Sequence, residues 1–269
     1  MRQTDHANSA AAPIDSTASP ARHPPPELAD DWALFLDVDG CLLDLAATPD
    51  AVVVPQGLSA YLAELHARLH GALALVSGRT IATLDALFAP SQLNAVGLHG
   101  VECRHAGGVS AAMPASPELA HVRDAAARLA AIYDGALVED KGAAIALHWR
   151  QAPDAEQALQ AFAAHSLERL PGYRLQQGKQ VVEMYPGSPE GGSLDKGAAI
   201  ATLLDLPPFS GRVPVFAGDD LTDESGFEVV NARDGLSVLV GDRTRSAARH
   251  HLPDPAAVRA WLGFAGESP

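Results

Sequence analysis

Only two of the 269 residues are cysteine, Cys41 and Cys103, which excludes a disulfide framework and makes a reducing compartment, the cytoplasm, the expected setting. Neither has a CxxC partner and the eleven histidines are scattered, so the spacing of a zinc site is also missing. Basic residues are scarce: 19 Lys and Arg stand against 33 Asp and Glu, a net charge of −14. A chain this acidic is a poor partner for nucleic acid or for an anionic membrane surface. It can hold an anionic ligand only where a local basic cluster is set against the overall field. No apolar run approaches the length of a membrane span. The N-terminus has no apolar stretch of the signal-peptide kind, and its Ala, Ser and Pro content assigns residues 1–28 to a disordered tail outside the fold. No internal repeat is visible.

What remains is a chain with 47% hydrophobic and 19% charged residues, ordinary for a globular enzyme. Residues 33–36 are a short apolar strand, and a helical spacing follows at Leu58, Leu62, Leu65 and Leu69. A second strand at 72–76, a helix through Ile81, Leu84 and Phe88, and a strand near Val96 complete the rhythm of a parallel sheet with helices on its faces. The rhythm then changes. Helices over 117–133 and 154–170 alternate with strand pairs at 137–139 and 143–149, then at 173–177 and 180–185. Helix, two strands, helix, two strands describes a small antiparallel sheet with helices on one face. From about residue 195 the strand–helix order resumes, with strands at 213–217 and 236–240 and helices at 222–231 and 255–263. The fold class is therefore α/β: a Rossmann-like core over 29–108 and 191–269, interrupted by an αββαββ cap over 109–190.

The polar residues sit where such a core puts its chemistry. Three apolar strands end in DVD, SGR and GDD, and ligands of open parallel sheets bind outside the carboxyl ends of the strands. Asp37 and Asp39, two residues apart, point to one side of an extended segment. Their crowding calls for a shared proton or a cation. The GDDLTDE run adds Asp219, Asp220 and Asp223, and an oxygen-only set of this kind suits Mg²⁺. Ser77 supplies a hydroxyl, and Lys196, opening the helix LDKGAAIATLL, supplies a fixed positive charge at an anion-favouring helix end. Carboxylates, a divalent cation, a hydroxyl and a lysine are the parts needed for phosphoryl transfer through an aspartyl-phosphate.

DVDGCLLD, Ser77 of VSGR, Lys196 of DKG, and GDDLTDE together resemble the four motifs of the haloacid dehalogenase (HAD) superfamily of phosphatases. The resemblance implies that Asp37 is the nucleophile and Asp39 the general acid and base. It also implies that Mg²⁺ is held by Asp37, the backbone carbonyl of Asp39, and Asp219, with Asp220 and Asp223 close behind. VSGRT, GLHGVE, EDK, HWR and VVEMYP narrow the likeness to the trehalose-6-phosphate phosphatase family. By that likeness Arg79, His99, Glu102, Lys141, Arg150 and Glu183 contact the sugar phosphate, and a trehalose-phosphate synthase is a conceivable partner. Two features depart from the family pattern: Cys41 replaces the usual Thr, and the stretch GSPEGGSLD before Lys196 is long.

Plainer readings stand beside these. Glu183 could face solvent on an alternating strand, His99 could be a turn residue, and His148 and Arg150 could be the wet face of an edge strand. Arg79 could pair with one of the many acids, and Cys41 could be a small buried filler. Other functions also fit the motifs, namely a phosphatase for sucrose phosphate or a glycosyl-phosphoglycerate, or a non-catalytic phosphosugar-binding regulator.

Overall fold

Strand β1 (Trp32–Asp37) is buried along its whole length, as the run WALFLD requires of a strand in the middle of a parallel sheet. The computed structural model describes residues 22–89, 93–105, 108–110, 116–187 and 194–265. It places β1 between β10 (Val213–Gly218) and β2 (Leu73–Val76), with Phe35 opposite Phe216 on one side and Ala74 on the other. Outward from β10 come β11 (Leu236–Val240) and β12 (His250–Leu252); outward from β2 comes β3 (Asn94–Gly97), all parallel. Two further strands, β4 (Glu102–His105) and β5 (Gly108–Ser110), turn back antiparallel and complete an eight-stranded sheet. The helices α1 (Leu58–Arg68), α2 (Ile81–Leu87), α5 (Lys196–Leu204), α6 (Glu224–Ala232) and α7 (Pro255–Trp261) belong to this half. Its core packs the aromatic pairs Phe35–Phe209 and Phe216–Phe227, with centroids 5.2 and 5.3 Å apart.

The second sheet runs β6 (Leu137–Asp140), β7 (Ile145–His148), β9 (Val181–Pro186), β8 (Tyr173–Gly178), all antiparallel. With α3 (Leu119–Ala130) and α4 (Glu156–Ser166) it gives the order αββαββ that the periodicities predict. Its register explains its two faces. Val138, Ile145, Leu147, Val182 and Met184 point to one side and pack against Leu119, Val122, Ala126, Leu159 and Ala163 of the two helices. The alternate positions, Glu139, His148, Gln176 and Glu183, point the other way and line a cleft over the core. A small apolar cluster, Leu98 and Val101 from the core with Ala143, Ala144 and Tyr185 from the cap, joins the two layers beside that cleft.

The sequence reading misses three strands and part of an arm. β4 (ECRH), β5 (GVS) and β12 (HHL) are three or four residues long and carry no apolar period to detect. Residues 22–28, grouped above with the tail, are held in place: His23 bridges His250, the His251 N–H donates to His23 O at 3.1 Å, and Trp261 Nε1 donates to Pro26 O at 2.7 Å. These are largely backbone contacts, which composition cannot signal. Residues 1–21 and the glycine-rich 188–193 lie outside the described residues. Among the described residues, no helix is long and apolar enough to cross a membrane.

Candidate active site

Four neighbouring strands deliver their polar ends to one place. Asp37 ends β1, Ser77 follows β2, His99 follows β3 and Asp219 follows β10; all line the cleft roofed by the cap. Gly40, in the turn after Asp39, has φ +85, and a Cβ there would lie 2.2 Å from Asp219 Oδ2. Only glycine lets the two acidic turns approach so closely.

Lys196 organises the floor. The Asp195 side chain caps α5 by accepting the Ala198 N–H, which places Lys196 in the first turn. Lys196 Nζ donates to Asp37 Oδ1 and to Asp223 Oδ1, both at 2.7 Å, with all three side chains buried. Asp223 Oδ2 accepts the Asp220 N–H and closes a capping box with Asp220, whose own Oδ1 accepts the Leu221 N–H. Carboxylate oxygens of Asp37, Asp219 and Asp223 come within 4.8 Å of one another. Burial and the repulsion of its neighbours push the Asp219 carboxyl up to about 7, and Asp37 is driven well above its ordinary value mainly by burial. Burial would lower Lys196, but Asp223 and Asp37 hold it well above its ordinary value. Three carboxylates against one ammonium leave a deficit of positive charge. A hard, oxygen-seeking cation fits that donor set. Of the acids assigned to the metal, the side chains of Asp39 and Asp220 are outside this cluster.

Asp39 is occupied elsewhere. Arg79 Nε and Nη2 donate to its two oxygens at 2.6 and 2.8 Å, a bidentate fork, and Nη2 also reaches Pro49 O at 3.1 Å. The acid-pairing reading of Arg79 describes this state, although the guanidinium also lines the cleft. Glu102 is not among the lining residues. Its carboxylate accepts the Ile81 N–H at 2.6 Å, capping α2 together with Thr80 and so anchoring the turn that presents Ser77.

On the roof, Lys141 Nζ donates to Glu183 Oε1 at 2.8 Å and reaches down to Gly78 O of the core at 2.9 Å. His99, with φ 55, brings Nε2 to 3.3 Å from Glu183 Oε2, an ion-pair distance without hydrogen-bond alignment. Glu183 is 7% exposed, so it does not face solvent. Burial works against its ionisation, yet Lys141 and His99 hold its carboxyl far below the usual range. Glu139 and His148, the first residues of the EDK and HWR motifs, were not among the expected sugar contacts; both line the cleft and hydrogen-bond at 2.9 Å, and this bond with nearby Lys141 outweighs burial and lowers Glu139. The pair is diagonal across the β6–β7 register, a relation visible only once the strands are aligned. Arg150 lines the same cleft and donates to Ala46 O of the core.

A family model described as trehalose-phosphatase matches residues 35–255. The chain is 44% identical over 245 residues to the trehalose-6-phosphate phosphatase of Escherichia coli, covering 88% of this chain and 87% of that one. It is 43% identical over 235 residues to a probable trehalose-phosphate phosphatase of Sinorhizobium fredii, covering 87% of each. In fold it is similar to the C-terminal domain of the Candida albicans trehalose-6-phosphate phosphatase, with a TM-score of 0.72 at 21% identity over 87% of this chain and 91% of that one. With its motifs, its HAD-type core and its αββαββ cap in agreement, the chain belongs to the trehalose-phosphatase family of enzymes.

Proposed function

We propose that the protein hydrolyses trehalose 6-phosphate to trehalose and phosphate through an aspartyl-phosphate on Asp37. The observation that carries this reading is the buried Lys196 between Asp37 and Asp223, 2.7 Å from each, at the strand ends beneath a polar cap. Asp37 attacks phosphorus as the bond to the sugar oxygen breaks, and Asp39 gives that oxygen its proton. Asp39 then takes a proton from the water that attacks phosphorus and releases Asp37. Ser77 and Lys196 hold phosphoryl oxygens. Asp37, Asp219 and Asp223, with the Asp39 carbonyl, would hold Mg²⁺, which supplies neutralisation of charge on the phosphoryl group.

In this reading Arg79 adds a step. Both Asp39 oxygens accept from the Arg79 guanidinium, so Asp39 can hand a proton to the leaving oxygen only after leaving the fork. An arriving phosphate competes for Arg79 and makes that release part of substrate binding. On the roof, Lys141, Glu183, Glu139 and Arg150 offer charged partners to sugar hydroxyls, stronger than neutral ones. A regulator that only binds phosphosugar would need neither Asp37 nor Asp39. Phosphate release across a panel of trehalose, sucrose, glucose and glycosyl-glycerate phosphates tests the assignment. Turnover of another phosphosugar at ten times the kcat/KM of trehalose 6-phosphate would overturn it, a preference of about 1.4 kcal/mol.

A further inference from the structure

The acidic loop that carries Asp219 and Asp220 is gripped through its backbone by a side chain from beyond the end of β11. Arg243 Nε donates to Asp219 O and Nη2 to Asp220 O, each at 3.1 Å, and Nη2 also pairs with the Glu224 carboxylate in the first turn of α6. Nη1 donates to Arg245 O at 3.1 Å, and Glu224 Oε2 accepts the Ala247 N–H at 2.7 Å, so the segment around 243–247 is folded onto the same group. That segment is held in turn by the N-terminal arm. Arg22 donates to four of its carbonyls: from Nε to Ala248 O at 3.0 Å, from Nη1 to Arg243 O at 3.4 Å, and from Nη2 to Thr244 O at 3.2 Å and Ser246 O at 3.1 Å. The arm precedes residue 35, where the family match begins.

We propose that Arg243 is a positioning residue for the acidic loop, that Arg22 braces it, and that the N-terminal arm thereby sets the geometry of the cation-binding carboxylates. The physical need is clear from the floor. Three carboxylates held within 4.8 Å repel one another, and a loop without lateral support relaxes by swinging Asp219 outwards. Two successive carbonyls gripped by one planar fork fix two peptide planes, and with them the direction of the Asp219 side chain. A lysine, a point donor, cannot make both contacts in that fixed geometry. The proposal rests on reading Asp37, Asp219 and Asp223 as the Mg²⁺ site, and the test separates the two.

Mg²⁺ is titrated calorimetrically into the metal-free full-length protein and its variants, alongside thermal unfolding without metal. Arg243→Lys weakens Mg²⁺ binding by about tenfold or more, the usual effect of losing an outer partner of a metal site. Phosphate release recovers when Mg²⁺ is raised to saturation, which a merely misfolded variant would not show. Arg22→Ala weakens binding by about threefold, and the double variant is no weaker than Arg243→Lys alone because both act through one path. Wild-type binding left within about twofold by Arg243→Lys overturns the positioning role. A double variant that loses the product of the two single effects overturns the brace. If Arg243→Lys fails to fold, Arg22→Ala decides, and unchanged affinity there sinks the proposal. Wild-type protein that binds no Mg²⁺ overturns the reading of the cluster, and the brace with it.

Discussion

Two buried lysines line the cleft, one from each layer, and their surroundings differ. Lys196 in the floor serves Asp37 and Asp223 with Asp219 beside them, one cation for three carboxylates. Lys141 in the roof serves Glu183 and a backbone carbonyl, with Glu139 4.0 Å away and His99 and His148 on the two glutamates. The titration directions follow. Asp37 and Asp219 are pushed up, whereas Glu183 and Glu139 are pulled down. The floor is therefore short of positive charge, which a proton or a bound cation can bring, while the roof acids already sit against partners of their own. A floor of that kind suits a metal and a phosphate; a roof of that kind suits an uncharged polyol.

The largest way to break the comparison is Asp37→Asn. The amide fills the same space at the end of β1 but cannot attack phosphorus, so phosphate release falls by more than about a thousandfold, about 4 kcal/mol of barrier. Circular dichroism and unfolding should show an intact fold. A variant within tenfold of wild type would remove Asp37 from the nucleophile role. Metal removal comes next: a chelated preparation should lose activity and regain it with Mg²⁺. Mg²⁺ at a hundred times its dissociation constant should also stabilise the folded protein by about 2.7 kcal/mol. A chelated, metal-free preparation that keeps full activity, or a Tm indifferent to Mg²⁺, would mean that the floor does not need the cation.

Glu183→Ala tests the roof. Turnover of trehalose 6-phosphate should fall by about a hundredfold, while p-nitrophenyl phosphate, too small to use the cap, should change less than threefold. Equal losses on both substrates would make Glu183 structural, and no loss on either would leave the disaccharide without this contact.

How much of this was readable from the chain depends on whether a residue's partners are set by its own element. Asp37, Ser77 and Asp219 were legible because each ends a buried apolar strand, and such ends converge in a parallel sheet. The cap was legible because its strands alternate with period two. Glu102 was not, since its carboxylate caps a helix twenty-one positions earlier in the chain. Nor were the Arg79–Asp39 fork and the Arg22 contacts, which join segments 40 and more than 220 residues apart. Side chains with several equally good partners find the actual one only in three dimensions.

The two layers should also separate by pH. In the roof, the depressed Glu183 contributes stability that is fully present above its ordinary value of 4.5 and is lost as pH falls through the lowered one. In the floor the sign is opposite. Asp219 has an ordinary value of 3.8 and sits near 7 in the folded chain, so the folded state holds the extra proton between them. Metal-free stability therefore declines as pH rises through that window, by up to about 1.4 kcal/mol per pH unit for each proton held. Unfolding curves from pH 5 to pH 8, with EDTA and with Mg²⁺, should show this slope only without metal. Groups away from the floor contribute equally to both series. Identical slopes would show that the floor carboxylates are not crowded in solution.

The smallest effect concerns the two thiols. Cys41, one residue beyond Gly40, is completely buried, and burial with the fields of Asp37, Asp219 and Asp223 raises its thiol well above the ordinary range. Cys103, half-buried on β4, is raised by burial without those acids. Since the thiolate is the reactive form, a thiol reagent should modify Cys103 first, and Cys41 only on unfolding. Cys41→Thr keeps a small side chain at this buried position two residues after Asp39, so phosphate release should change by less than about threefold, under 1 kcal/mol. Mapping the modified residue by mass spectrometry checks the order. Rapid labelling of native Cys41 would mean that the floor is more open, and less negative, than three carboxylates around one lysine imply.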